Sequence, residues 1–205
     1  MLWGLVVIDW LNRTARKLPT WVLYVLGLLP IPYLFWQGWS GALGVDPVKA
    51  LEHMYGEWAL KLLIAGLAIT PLRRYAGVNL VKFRRALGLL AFTYVVAHLL
   101  IWALLDVQTL TRVWADIVKR PYITIGMAAF VLMLPLALTS TNRAIRRLGQ
   151  TWRKLHRLTY AVAVLGAVHF IMVVKGFPVE PLVYLAVVAV LLALRVKLRS
   201  RVRLA

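Results

Sequence analysis

The chain has 205 residues, 62% of them hydrophobic, and its formal net charge is +18. That apolar share is larger than a soluble globular domain needs, so the composition excludes a soluble enzyme or binding domain. Cysteine is absent from the sequence, which excludes disulfides, thiolate zinc sites, iron–sulfur clusters and covalently attached haem.

The first predicted element is a short helix within residues 1–18. Its opening, MLWGLVVIDWLNR, lacks the basic start of a typical signal peptide. Trp3 and Trp10 instead favour a helix that lies in the membrane interface on the cytoplasmic side.

Six apolar stretches follow, and each approaches the roughly 20 residues that cross a bilayer core. The second is short, and we expect it to begin a turn earlier, near Leu51. We predict an all-α, polytopic membrane protein with a single domain, a six-transmembrane-helix bundle over residues 19–197 and a basic tail at 198–205. The predicted spans are Trp21–Trp39, Trp58–Leu72, Leu87–Leu105, Tyr122–Leu138, Leu158–Val174 and Leu182–Val196.

Prolines and glycines mark the ends and bends of these spans. Pro30 and Pro32 lie inside the first span and are expected to kink it. Pro121 falls at the first turn of the fourth helix, where its missing N–H is harmless. The segment VKGFPVEP predicts a tight outer turn before the sixth span.

The positions of the charges predict the topology. Most of the 25 basic residues lie in four clusters, at residues 13–17, 73–85, 143–157 and 195–203, which fall on one side if six helices alternate. The positive-inside rule places this side, with both termini, in the cytoplasm. The clusters sit at span ends and not along one folded face, so the charge does not indicate nucleic-acid binding. Six of the seven acids fall on the opposite side: Asp46, Glu52, Glu57, Asp106, Asp116 and Glu180.

Two histidines lie inside predicted spans, where an ionisable side chain is a functional candidate. His98 is in the third span and His169 is late in the fifth. Both spans run outward from the cytoplasm, so we expect the two imidazoles at similar depth in the outer half of the bilayer. Two neutral imidazoles facing each other would form a pocket for a metalloporphyrin with two axial ligands. A hydrogen bond between helices is the alternative role for a membrane histidine.

A third histidine, His156, lies about 20 Å below His169 at about 1.5 Å per residue, at the inner edge. A second haem at that level would carry electrons across the membrane. On an ideal straight helix, however, the two side chains would be roughly 140° apart, and a hydrated interfacial role is equally open to His156. The sequence offers no second histidine there, but Arg84 could bind a haem propionate. His53, before the second span, is interpreted as a solvated turn residue.

Small residues on the third and fifth spans allow close approach, either of a flat macrocycle or of a neighbouring helix. They are Gly88, Ala91, Ala97, Ala163, Gly166 and Ala167.

Short motifs in a fixed order carry a family resemblance over roughly residues 40–176. They are TPLRR, RRALGLLAF, HLLIW, KRPYITIG, PLALTSTN, RRLG followed by LHRL, and a histidine followed by VVK. With them the chain resembles the MsrQ (formerly YedZ) family, the haem-binding membrane subunits of bacterial methionine-sulfoxide reductase systems. More distantly it is similar to the ferric-reductase-like transmembrane superfamily.

The resemblance implies a bacterial inner-membrane protein that binds one or two b-type haems, with ligands at His98, His156 and His169. Electrons would enter from the quinone pool or a cytosolic flavin reductase. They would leave to a periplasmic molybdopterin enzyme, MsrP, which reduces methionine sulfoxide in oxidised proteins. The resemblance also implies FMN as a cofactor, without indicating which residues would bind it. Distant oxidases carry an inner histidine where this chain has Arg84.

Two other functions stay open on the residues alone. A transporter or channel that uses the histidines as proton relays would need more intramembrane acids. A structural anchor subunit would need no cofactor. We find no nucleophile–base constellation and no nucleotide-binding motif, so we expect no bond-making chemistry in this chain. Its basic inner face suits anionic lipid headgroups or an acidic flavoprotein.

Overall fold

Helices make up all the regular secondary structure of the residues that the computed structural model describes, which are 2–174 and 179–195. A 3₁₀ turn at Val81–Phe83 precedes α5, and a π-helical turn at Trp102–Val107 extends it. The all-α prediction is confirmed over this part of the chain. The helices are α1 Leu2–Lys17, α2 Thr20–Leu28, α3 Pro30–Trp39, α4 Pro47–Tyr75, α5 Arg84–Ile101, α6 Leu110–Lys119, α7 Pro121–Leu138, α8 Asn142–Leu148, α9 Gln150–Leu155, α10 Leu158–Val173 and α11 Val179–Ala193.

Four helical segments are long and apolar enough to cross a bilayer: Thr20–Trp39, Val81–Val107, Pro121–Leu138 and Gln150–Val173. They coincide with the first, third, fourth and fifth predicted spans. The sixth corresponds to α11, which is apolar but shorter. The predicted outer turn at 175–178, the end of the sixth span and the basic tail at 198–205 lie outside the described residues.

The second predicted span belongs to α4, which is longer and more polar than expected. The helix has 29 residues and begins before Leu51. Lys61, inside the predicted span, pairs with Glu57 at 2.7 Å, and the hydroxyl of Tyr184 in α11 donates to the same carboxylate at 2.9 Å. Pairing of Lys61 with Glu57 lowers the free-energy cost of placing two charges on an apolar helix. The hydrogen bond from Tyr184 joins α11 to α4.

The first predicted span is interrupted between α2 and α3, as its prolines predict. Pro30 opens α3 and has no N–H to continue the hydrogen-bond ladder. Two buried tyrosines donate to carbonyls beside the break: Tyr94 to Gly27 at 2.9 Å and Tyr55 to Ile31 at 2.7 Å. Side chains of α4 and α5 therefore hydrogen-bond to the backbone on both sides of the break and hold α2 and α3 against the bundle.

The bundle is built mainly from α4 packed on α5, α7 on α10 and α10 on α11. Several of the small residues noted in the sequence lie in these contacts. Ala163 and Ala167 are fully buried with Leu67 and Val188, and Ala91 is buried in a second cluster. These three alanines therefore serve close packing of helices.

The N-terminal helix α1 is fixed to the segment that joins α4 to α5. The side chain of Asn12 donates to the carbonyl of Gly77 at 3.0 Å and accepts from the N–H of Asn79 at 2.8 Å. Lys82 donates to the carbonyl of Arg16 at 2.9 Å. Two of the basic clusters that the charge pattern assigned to one side thus lie together.

Proline also interrupts α4, and a side chain from the end of α11 compensates. Pro71 cannot donate to the carbonyl of Leu67, four residues earlier. The guanidinium of Arg195 donates to this carbonyl and lies over the ring of Tyr160. Because an unsatisfied buried carbonyl is costly, Arg195 fastens the end of α11 to α4.

Replacing Arg195 by methionine is expected to destabilise the protein by about 1–3 kcal/mol, the cost of leaving a buried acceptor unpaired. In a Pro71→Ala background the loss should be smaller, because the alanine N–H can bond to Leu67. Thermal unfolding of the detergent-solubilised protein measures both, with the exposed Arg146→Met variant as control. Equal losses in the two backgrounds would contradict this role for Arg195.

Candidate functional site

The structure brings together His98 of α5 and His169 of α10, which we call the histidine pair. Their ring centres lie 6.2 Å apart, and their planes are nearly perpendicular, at 83°. The pair lies between the two most closely packed helix pairs, α4 with α5 and α7 with α10. The structure therefore brings together the two side chains that the sequence predicts to lie at similar depth.

Each ring of the histidine pair donates one hydrogen bond to a backbone carbonyl of a neighbouring helix. Nδ1 of His98 lies 2.8 Å from the carbonyl oxygen of Glu52 in α4, and Nδ1 of His169 lies 2.7 Å from that of Tyr122 in α7. A carbonyl only accepts, so both Nδ1 atoms carry the proton. Both Nε2 atoms are then unprotonated, and each has a lone pair available to a metal.

The spacing of the pair fits an iron atom held between the two rings. Metal–nitrogen bonds of about 2 Å, with each ring centre roughly 1 Å behind its nitrogen, place the two centres about 6 Å apart. The observed 6.2 Å agrees with this requirement. Among the described residues no group of three or more histidine, cysteine, aspartate or glutamate side chains could hold a metal ion. Histidine is a ligand that haem iron takes in proteins, so the donor atoms of the pair fit such an iron.

Two glycines that the sequence reasoning did not single out lie against this pair. A Cβ atom at Gly56 would lie 3.3 Å from Nδ1 of His98, and one at Gly126 would lie 2.9 Å from Nδ1 of His169. Glycine is common in membrane helices for many reasons, so no signal in the sequence distinguishes these two positions. Only the packing of α4 on α5 and of α7 on α10 identifies them.

A separate cavity of about 490 Å³, which we call the arginine cavity, lies near His156. Its size is within the range of small-molecule and cofactor sites. Its walls are largely apolar, and no aspartate or glutamate is among the described residues that line it. The arginines of the described ranges that line it are Arg84, Arg85, Arg153, Arg157 and Arg195. An apolar body with one or more anionic groups would match this lining.

His156 lines the arginine cavity and has one free ring nitrogen. Its Nδ1 bonds to the carbonyl of Trp152 at 3.1 Å, and the two rings stack with centres 3.8 Å apart. Its Nε2 is buried and has no hydrogen-bond partner in the part of the chain that the structure describes. This arrangement resembles that of the histidine pair, except that no second histidine lines the cavity.

The angle of roughly 140° between His156 and His169 was estimated for one uninterrupted helix. The structure has no such helix between these two residues. His156 lies in a turn after α9, which ends at Leu155, and α10 begins only at Leu158. The angle of an uninterrupted helix therefore does not describe how His156 is oriented relative to His169.

The two other predicted positions are also placed by the structure. Arg84 begins α5, lines the arginine cavity and donates to the hydroxyl of Thr70 at 2.6 Å. His53 is exposed but lies within α4 and not in a turn, with its ring centre 5.7 Å from that of Phe170. Arg84 thus lies on the same cavity as His156, whereas His53 is apart from it.

Comparison with known proteins shows which family the chain is similar to. A family model described as ferric reductase like transmembrane component matches residues 55–167, a range that includes His98 and His156. No solved structure matches the chain.

Curated relatives match over most of the chain. It is 55% identical, over 177 residues, to a protein of Rhizobium meliloti (strain 1021) named protein-methionine-sulfoxide reductase heme-binding subunit MsrQ, with 85% of this chain and 82% of the relative covered. A protein of the same name from Brucella ovis is 49% identical over 176 residues, covering 85% and 80%. The chain therefore belongs to the ferric-reductase-like transmembrane family and, within it, to the MsrQ subunits.

Proposed function

We propose that this chain is a haem b electron-transfer subunit of a methionine-sulfoxide reductase system in the bacterial inner membrane. The observation that carries the proposal is the histidine pair, with its 6.2 Å separation and its two Nδ1–H groups bound to carbonyls. The relatives from Rhizobium meliloti and Brucella ovis are named as heme-binding subunits, which agrees with this proposal.

Three residues have defined tasks in this proposal. His98 and His169 hold the iron of one haem, and the carbonyls of Glu52 and Tyr122 keep both rings in the tautomer that can ligate. His156 holds a second haem in the arginine cavity, where Arg84 binds a propionate. Bound haem supplies a one-electron carrier, and the protein contributes its ligands, their orientation and an apolar surrounding.

The proposed topology has six spans with both termini in the cytoplasm. It counts α4 as the second span, since its Lys61–Glu57 pair reduces the charge exposed to lipid. The contact of α1 with the segment between α4 and α5 supports placing both on the same side. The arginine cavity would then open toward the cytoplasm, and the histidine pair would lie in the outer half.

This topology assigns a direction to the electrons. The donor would be the quinone pool or a cytosolic flavin reductase, reaching the haem of the arginine cavity. The acceptor would be a periplasmic molybdopterin methionine-sulfoxide reductase, MsrP, reached from the histidine pair. FMN is a further cofactor that the family resemblance implies, and flavin extraction from the purified protein tests it.

The absorbance spectrum of the purified protein tests the proposal. A dithionite-reduced sample is expected to have a sharp b-type α band, with one or two haems per chain by pyridine haemochrome assay. A colourless protein would refute the redox function and favour a transporter or an anchor subunit.

A further inference from the structure

We infer that Gly56 and Gly126 are positioning residues that set the geometry of the histidine pair, and this rests on the proposed function. The two histidines contact their neighbouring helices in the same pattern. His98 bonds to the carbonyl of Glu52 and lies against Gly56, and His169 bonds to the carbonyl of Tyr122 and lies against Gly126. In both cases the glycine is four residues after the carbonyl.

The four-residue spacing has a physical reason. In an α-helix the carbonyl of residue i accepts from the N–H of residue i+4, so its oxygen lies beside the Cα of that residue. The oxygen has a second lone pair, which an outside donor can use. An imidazole that reaches it must lie over residue i+4, where a Cβ would occupy the space. Glycine at i+4 therefore lets an Nδ1–H reach a carbonyl that is already part of a helix.

The available space differs between the two positions. At Gly126 a methyl group would lie 2.9 Å from both Nδ1 and Cε1 of His169, which is closer than carbon and nitrogen atoms pack. At Gly56 the nearest ring atom of His98 would be 3.3 Å away, which is tight but can be relieved by a small shift. Each imidazole is held against the neighbouring helix by its own hydrogen bond, so neither ring can move freely away from an added methyl group.

Alanine at Gly56 or Gly126 is therefore expected to change how the imidazoles are oriented toward the iron. Gly126→Ala should weaken haem retention at the pair by about tenfold or more, as loss of a ligand-orienting contact does at metal sites. The residual haem should have a shifted midpoint potential and a reduced low-spin bis-histidine signal in electron paramagnetic resonance. Gly56→Ala should shift the potential and signal in the same sense, with a smaller loss of haem.

Two matched variants separate this role from ordinary packing. Gly66→Ala makes the same change in α4, where the new methyl group would lie 3.9 Å from Leu87, an ordinary contact. Gly27→Ala places a methyl group 2.5 Å from the side chain of Leu90, away from both histidines. The first should leave the bis-histidine signal unchanged, because Gly66 lines the arginine cavity and not the histidine pair. The second should lower thermal stability without altering that signal.

The experiment compares the five full-length proteins by haem content, electron paramagnetic resonance and redox titration. Wild-type spectra in Gly126→Ala, with unchanged haem content and potential, would overturn the glycine inference and leave the proposed function intact. The same spectral change in Gly27→Ala would also overturn it, because the effect would then come from packing in general. A wild-type protein without a bis-histidine haem would overturn both.

Discussion

Replacing His98 or His169 by alanine is expected to remove the haem held between them, reducing its retention by about tenfold or more. In the proposed function each ring would supply one ligand to the iron, and the two ring centres lie 6.2 Å apart. The purified variants should lose the low-spin bis-histidine signal, measured by electron paramagnetic resonance and pyridine haemochrome assay. Methionine-sulfoxide reduction driven through the subunit should fall with it.

Loss of haem through unfolding can be separated from loss of a ligand. Alanine leaves a space the size of an imidazole ring beside Glu52 or Tyr122, so added imidazole should restore part of the haem signal. His53→Ala is the matched control, because this exposed α4 histidine lies against Phe170. A wild-type spectrum in His98→Ala or His169→Ala would contradict the assignment of the pair as ligands.

Replacing His156 by alanine is expected to remove one of two haems while the bis-histidine signal of the pair persists. Among the described residues, its buried Nε2 has no hydrogen-bond partner, and the cavity that it lines has five arginines and no second histidine. The haem-to-protein ratio should fall by about half if each site holds one haem. Electrons from the proposed donor, the quinone pool or a flavin reductase, should then no longer reach the histidine pair, although dithionite would still reduce it.

Two further variants sharpen the test of the arginine cavity. Arg84→Gln removes the charge proposed to bind a propionate, so the second haem should be held more weakly but still ligated. Lys154→Ala changes an exposed neighbour that does not line the cavity, and its haem content should equal that of the wild type. An unchanged ratio in His156→Ala would exclude this histidine as a haem ligand.

Part of the site was predictable because a bilayer restricts the length and direction of the helices that cross it. An apolar span fixes depth along its axis at a constant rise per residue, so the position of His98 and His169 in their spans already indicated a common level. The same reasoning did not extend to His156. A turn between α9 and α10 breaks the helical periodicity on which its predicted angle depended.

The sequence alone determined the all-α class, the positions of the apolar helices and the histidines that meet, because hydrophobicity, charge and helical rise are local quantities. Tertiary structure decided which backbone each imidazole touches. These contacts join residues that are distant in the chain. They are the glycines against the rings, the carbonyls that accept from Nδ1, and the hydrogen bond from Arg195 to the carbonyl of Leu67. Such contacts depend on how neighbouring helices are rotated and offset, and packing of the whole bundle sets those values.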